Sequence, residues 1–202
     1  MTQTSDQASR TFRAFIALDP DPAALSVLRG YRHRLLNEPW ADQVKWVAAE
    51  NLHLTLRFLG EISVAREREL LQRLADALQA QRFGALDLRI TEPRLFPAPR
   101  HPRAIACLVQ PTPSLLALAD LTERIAQAAG LPAERKPFNG HITLGRLREG
   151  FPSTARLSFP VAQTPMRADA LALYQSQLTP TGPIYTLRAR LALNEPRSTE
   201  TE

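Results

Sequence analysis

The chain has 202 residues, 44% hydrophobic and 22% charged, the make-up of a globular protein long enough for one sizeable core and short for two. It holds no run of eighteen apolar residues, residues 1–10 are polar, and Cys107 is the only cysteine, which excludes an ordinary membrane-spanning helix and any intrachain disulfide and sets the expectation of a cytoplasmic monomer. The net charge of +5 and the pI near 10.1 come almost wholly from arginine, a balance that permits a polyanionic partner such as RNA without demanding one.

In chain order, 11–18 reads as a strand, and 21–37 as a helix with Leu25, Leu28, Arg32 and Leu35 or Leu36 at helical spacing. Segments 44–47 and 52–59 read as extended, Gly60 ending the second. Ser63 is the natural N-cap for a helix to about residue 81, whose Val64, Leu71, Leu74 and Leu78 form an apolar stripe opposite a charged face. Leu86, Leu88 and Ile90 alternate as a half-buried strand does, and a Pro-rich loop at 93–102 leads to a strand at 104–109 that carries Cys107 as core packing. A third helix spans 114–129, with Leu115, Leu118, Leu121 and Ile125 inward and Gly130 as its stop. Extended stretches follow at 168–176 and 184–193. Residues 1–10 and 195–202 read as loose tails of a single two-lobed domain.

One four-residue phrase occurs twice, as His53-Leu54-Thr55-Leu56 and His141-Ile142-Thr143-Leu144. In a strand, side chains alternate, so His and Thr of each copy face one way and the aliphatic pair faces the other. One His-x-Thr is cheap in an amphipathic strand. Two copies, taking two of only four histidines, point to a site. Two imidazoles and two hydroxyls on one cleft suit phosphate-ester cleavage: one ring takes a proton from the attacking oxygen, the other gives one to the leaving oxygen, and the hydroxyls hold phosphoryl oxygens. His33, on a charged helix face, and His101, in the Pro-rich loop, read as solvated.

Other chemistries fit poorly. Neither copy has a carboxylate at zinc-ligand spacing, the eight glycines are scattered rather than gathered in a phosphate loop, and there is no lysine motif of an ATP-dependent ligase. No metal and no cofactor is therefore expected.

The paired phrase, the runs Arg13-Ala14-Phe15-Ile16-Ala17-Leu18 and Asn51 to Gly60, Pro137-Phe138 before His141 to Arg146, and Leu173-Tyr174-Gln175-Ser176 resemble the two-histidine (2H) phosphoesterase superfamily, and within it the RNA 2′,3′-cyclic phosphodiesterase, or 2′-5′ RNA ligase, family. The resemblance extends over about residues 13–193. It implies an α+β, bilobal, pseudo-duplicated fold: two antiparallel sheets with outer helices and a central catalytic groove. It also implies His53 as proton donor, His141 as proton acceptor and Thr55 and Thr143 as phosphate-binding hydroxyls. Where that family often has Pro before the second His, this chain has Gly140.

The activity so implied is hydrolysis of RNA 2′,3′-cyclic phosphate ends to 2′-phosphomonoesters without a metal, with 2′-5′ ligation as the same chemistry reversed. Two rivals stand beside it: a non-catalytic nucleotide-binding or RNA-binding module, and a relative with another cyclic phosphate substrate. Arg146, five residues past His141, is the expected phosphate contact, although strict alternation turns it away and a bulge near Gly145 is required. Arg57 has the parity to face substrate, with a cross-strand ion pair as the other reading. Phe15 fits either base stacking or core packing.

Overall fold

The computed structural model describes residues 10–180 and 182–193, so the tails expected at 1–10 and 195–202 lie outside the described residues, Arg10 excepted. The chain runs β1 (Thr11–Leu18), α1 (Pro22–Leu35), β2 (Val44–Trp46), β3 (Leu54–Ser63), α2 (Val64–Ala80), β4 (Leu86–Phe96), β5 (Ala104–Val109), α3 (Pro113–Ala128), β6 (His141–Leu147), β7 (Gln163–Ala168), β8 (Ala170–Thr179) and β9 (Gly182–Ala192).

Short polar side chains start each helix. Asp21 accepts from the Ala23 and Ala24 amides at 2.9 and 3.0 Å, Ser63 from Arg66 at 3.2 Å and Thr112 from Leu115 at 3.2 Å. Such a cap is worth about 1 kcal/mol. Pro22 and Pro113 stand at first-turn positions where no amide partner is needed. Gly130, at φ +79°, takes the left-handed conformation that ends α3.

All strand pairs are antiparallel, in the order β7-β4-β5-β6-β3-β1-β8-β9, with β2 added to β6. The expected two sheets are the two halves of this array, β9-β8-β1-β3 and β2-β6-β5-β4-β7. A single register pair, Leu54 with Ile142, joins them. Each half holds a strand–helix–strand unit whose last strand opens on the repeated phrase: β1-α1-β3 in the first, with β2 lent to the other half between α1 and β3, and β5-α3-β6 in the second. The helices cross over, since α1 packs on β7 of the second half and α3 on β3 of the first. The interlock leaves one continuous apolar cluster, which includes Ile16, Leu28, Leu70, Leu115, Leu118, Ile142 and Leu171.

Three boundaries differ from the sequence reading. Strand β3 continues past Gly60 to Ser63, because a glycine at φ +67° bends it without stopping it. β4 runs through Pro93 to Phe96, into the segment expected as loop. β7 gave no strand signal, having Pro165 near its centre; it pairs on one side only, the edge position in which a proline removes no ladder bond.

Candidate active site

The Leu54–Ile142 pair sets the geometry. Both side chains are fully buried on the helix side. Continuing that antiparallel register by one residue in each direction places His53 beside Thr143 and Thr55 beside His141, all four on the opposite face. They line one groove of about 450 Å³ with Lys45, Glu50, Asn51, Phe58, Arg146 and Tyr185.

Each imidazole is oriented alike. Nδ1 of His53 lies 2.7 Å from the Asn51 carbonyl oxygen, and Nδ1 of His141 lies 2.7 Å from the Asn139 carbonyl oxygen. A carbonyl only accepts, so each Nδ1 carries the hydrogen and each Nε2 is left for chemistry. The repeat is thus longer than the four-residue phrase, being Asn-x-His in both copies; that spacing is visible in the sequence at 51 and 139, though the sequence reading passed over it. Asn51 is pinned in turn, its side-chain amide donating to the Pro183 carbonyl at 3.1 Å.

His53 is enclosed by rings. Phe15 stacks on it with centroids 4.7 Å apart, Tyr185 meets it edge-on at 5.3 Å, and Tyr174 stacks beneath Phe15 at 5.4 Å. The Tyr174 hydroxyl donates to Asp19 at 2.9 Å, and burial with that carboxylate pushes its pKa up to about 12. Burial also lowers the pKa of His53 below the ordinary 6.5; the Arg146 and His141 charges act in the same direction, while the Asn51 carbonyl and Asp19 pull it back. In the free protein Nε2 of His53, 3.0 Å from Thr55 Oγ1, accepts the threonine hydroxyl. His141 has one ring contact, a stack on Phe96 at 4.2 Å, and its bond to Asn139 is exposed to solvent.

The bulge required for Arg146 is present. Ala106 pairs with Thr143 but Ile105 with Gly145, leaving Leu144 as an extra residue, so alternation is reset and Arg146 lines the groove. A Cβ at residue 145 collides with Val44 and crowds Trp46, so only glycine lets β2 lie this close to the bulge. The first copy carries the matching irregularity: Ala17 pairs with Thr55 but Ile16 with Arg57, leaving Leu56 extra.

Two assignments are corrected, the first by that bulge and the second by burial. Arg57 does not face substrate; it is 5% exposed, paired with Glu123 and Glu134 and donating to the Phe58 and Pro132 carbonyls. The ion-pair reading of Arg57 holds, with its partners on α3 and the loop after it rather than on a neighbouring strand. Phe15 does not stack on a base either, being 2% exposed and packed against His53. Phe58, which the sequence reading missed, takes the place equivalent to Arg146 and stands 56% exposed in the groove. Cys107 is fully buried and its thiol pKa is raised by burial, as core packing requires. Among the described residues no three His, Cys, Asp or Glu side chains cluster in a manner suited to a metal ion, and no helix is long and apolar enough to cross a membrane.

Two antiparallel half-sheets that present paired His-x-Thr strands to one groove define a phosphoesterase of the 2H superfamily. Residues 18–106 and 108–185 match the family described as LigT-like phosphoesterase, and the chain belongs to that family of hydrolases. It is 32% identical over 148 residues to the RNA 2′,3′-cyclic phosphodiesterase of Aeropyrum pernix, covering 70% of this chain and 82% of that one. To the RNA 2′,3′-cyclic phosphodiesterase of Archaeoglobus fulgidus it is 30% identical over 176 residues, with 86% and 96% covered. The fold is similar to that of Escherichia coli LigT in its apo form, with a TM-score of 0.73 and 26% identity over 93% of this chain and all of that one. It is similar as well to a protein of Thermus thermophilus, with a TM-score of 0.74 and 25% identity over 91% and 98%.

Proposed function

We propose that the protein hydrolyses RNA 2′,3′-cyclic phosphate ends to 2′-phosphomonoesters, with His141 as base, His53 as acid and no metal ion. The observation that carries this reading is the register about Leu54 and Ile142, which sets each imidazole beside the hydroxyl of the other copy in one groove with Arg146. The activity printed for the Aeropyrum and Archaeoglobus relatives supports the same substrate.

In the proposed step, Nε2 of neutral His141 takes a proton from water as the water oxygen bonds to phosphorus. The bond from phosphorus to O3′ breaks, and the proton on Nε2 of His53 passes to O3′. Negative charge gathered on the phosphoryl oxygens is met by Thr55, Thr143 and Arg146. The lowered pKa of His53 leaves it largely neutral in the free protein near pH 7; the phosphodiester anion stabilises the imidazolium and restores the proton that the acid role needs. With an RNA 5′-hydroxyl in place of water, the same transfers give a 2′-5′ linkage.

The test is incubation with excess EDTA and an RNA ending in a 2′,3′-cyclic phosphate. Full turnover to the 2′-phosphate is expected. Loss of activity in chelator with recovery on Mn²⁺ or Zn²⁺ overturns the metal-free acid and base assignment, and tight binding without turnover identifies a binding module.

A further inference from the structure

A second groove of about 1350 Å³ opens beside the His141 side of the site. The two cavities share a wall. Phe96, which stacks on His141, and Asn139, whose carbonyl holds its Nδ1, both line the larger groove, as does Leu108, the register partner of His141.

Its charge is lopsided. Five arginines line it, at 94, 100, 103, 148 and 156, against Glu92 and Glu149. Glu92 is occupied, accepting from Arg94 at 3.0 Å and from the Ala162 amide at 3.0 Å. Arg100, Arg103 and Arg148 are exposed and pair with no carboxylate among the described residues. The backbones of Arg103 and Arg148 are nonetheless held: the Arg103 amide donates to Phe96 O at 2.7 Å, its carbonyl accepts from Leu147 at 3.0 Å, and the Arg148 amide donates to Gln43 O at 2.8 Å. Pro97, Pro99 and Pro102 further restrict the segment that presents Arg100 and Arg103.

Unneutralised guanidinium groups on a fixed frame favour phosphate, singly or in series. Arg146 in the catalytic groove and Arg148 in the larger one, just past the end of β6, are two residues apart, a span of at most about 7 Å, so one phosphodiester chain can pass from one to the other. The three aromatic rings of the larger groove all have partners, Phe96 being stacked on His141. Phe151 packs against Trp40, and Phe159 lies between Tyr31 and the Arg34 guanidinium. The exposed side chains that the groove offers are chiefly guanidinium groups, so recognition there falls on the backbone rather than on bases.

We propose that this groove is the track for the RNA strand leading into the site, with the phosphates on the 5′ side of the cyclic end held by Arg148, Arg103 and Arg100. The inference rests on the cyclic phosphodiesterase reading, and a chain that ends in a 2′,3′-cyclic phosphate extends only to its 5′ side. The enzyme is then built for polynucleotide ends in preference to cyclic mononucleotides.

The experiment compares the full-length protein with a triple variant, Arg100→Ser, Arg103→Ser and Arg148→Ser, and with the corresponding Lys variant. Substrates are adenosine 2′,3′-cyclic phosphate and a single-stranded RNA of about ten nucleotides with the same end, within the usual footprint of such grooves. Expected results are a lower KM for the oligonucleotide in the wild type, a rise of about tenfold or more in that KM alone in the Ser variant, and near-wild-type behaviour of the Lys variant. Because each phosphate contact on a single strand contributes about 0.7 to the slope of log affinity against log salt, the Ser variant should lose about 2 from that slope. Equal KM values in the wild type, or a Ser variant that changes both substrates alike or neither, overturn the track while leaving the function standing. If no substrate turns over, the function fails on its own. Fluorescence anisotropy with the same RNA ending in a 2′-phosphate still decides the track, because unchanged affinity and slope in the Ser variant overturn it.

Discussion

His53 and His141 hold matching places on matching strands, each tied through Nδ1 to the carbonyl of an asparagine two residues earlier, yet their surroundings differ. The first is enclosed by Phe15 and Tyr185 with Tyr174 as backing; the second rests on Phe96, and its oriented bond meets solvent. Under the proposed acid and base roles, the backbone repeat supplies geometry and the packing around it supplies the difference in chemistry, since an acid and a base of the same residue type must differ in environment to divide the work. The same division runs down the strands: after equivalent bulges the first half turns Phe58 into the groove and the second turns Arg146, an apolar wall facing a cationic one.

Removing either imidazole breaks the pairing most directly. His53→Ala and His141→Ala should each lower turnover of the cyclic phosphate by about 10² to 10⁴, the range for a lost general acid or base, with the folded state retained by circular dichroism. A variant with wild-type kcat places the proton transfers elsewhere.

The bulge in the first half can be tested apart from the chemistry. Arg57→Ala strands the Glu123 and Glu134 carboxylates and the Phe58 and Pro132 carbonyls, and should cost about 3 kcal/mol in denaturant unfolding, the low end for breaking a buried pair because Glu134 is exposed and Glu123 partly so. It should leave the salt dependence of RNA binding unchanged, as a residue facing away from substrate must. A weaker salt dependence with unaltered stability returns Arg57 to the substrate list.

The smallest effect belongs to the approach to His141. The Gly140 amide donates no hydrogen bond among the described residues, and a Cβ there makes close but ordinary contacts of 3.4 Å with Phe138 and Val109. Gly140→Pro should therefore stabilise by about 0.4 to 1 kcal/mol through the unfolded chain and leave kcat within error. A large loss of activity shows instead that this glycine's freedom is used.

Much of the fold was legible because its signals are local. Helical spacing, with Ser63 as a cap, is written in single segments, and so is the alternation of each His-x-Thr phrase. The bulges are not local. Leu56 and Leu144 are extra only relative to β1 and β5, and the close fit of Val44 and Trp46 over Gly145 is a tertiary fact. Counting alternate residues from His53 therefore puts Arg57 on the wrong face, and counting from His141 hides Arg146; one unseen irregularity per strand accounts for both. Phe15 follows the same pattern, since alternation on β1 puts it on the face opposite Ile16 and Leu18 without saying that its neighbour there is His53.

The most direct test of the divided pair is an NMR titration of the two imidazoles, in the free protein and with a 2′-phosphomonoester nucleotide bound, alongside the pH dependence of kcat and kcat/KM. In the proposed mechanism protonated His53 is the productive form, and burial lowers its pKa in the free protein, so kcat/KM should fall as pH rises through a value below 6.5. The bound phosphate raises the same pKa, so the alkaline limb of kcat should lie above that of kcat/KM, both limbs being properties of the coupled pair. The account predicts that His53 titrates below 6.5 when free and moves upward on binding nucleotide. A His53 that titrates at or above 6.5 in the free protein and does not move when nucleotide binds contradicts it, and with it the assignment of acid to the first copy of the phrase and base to the second.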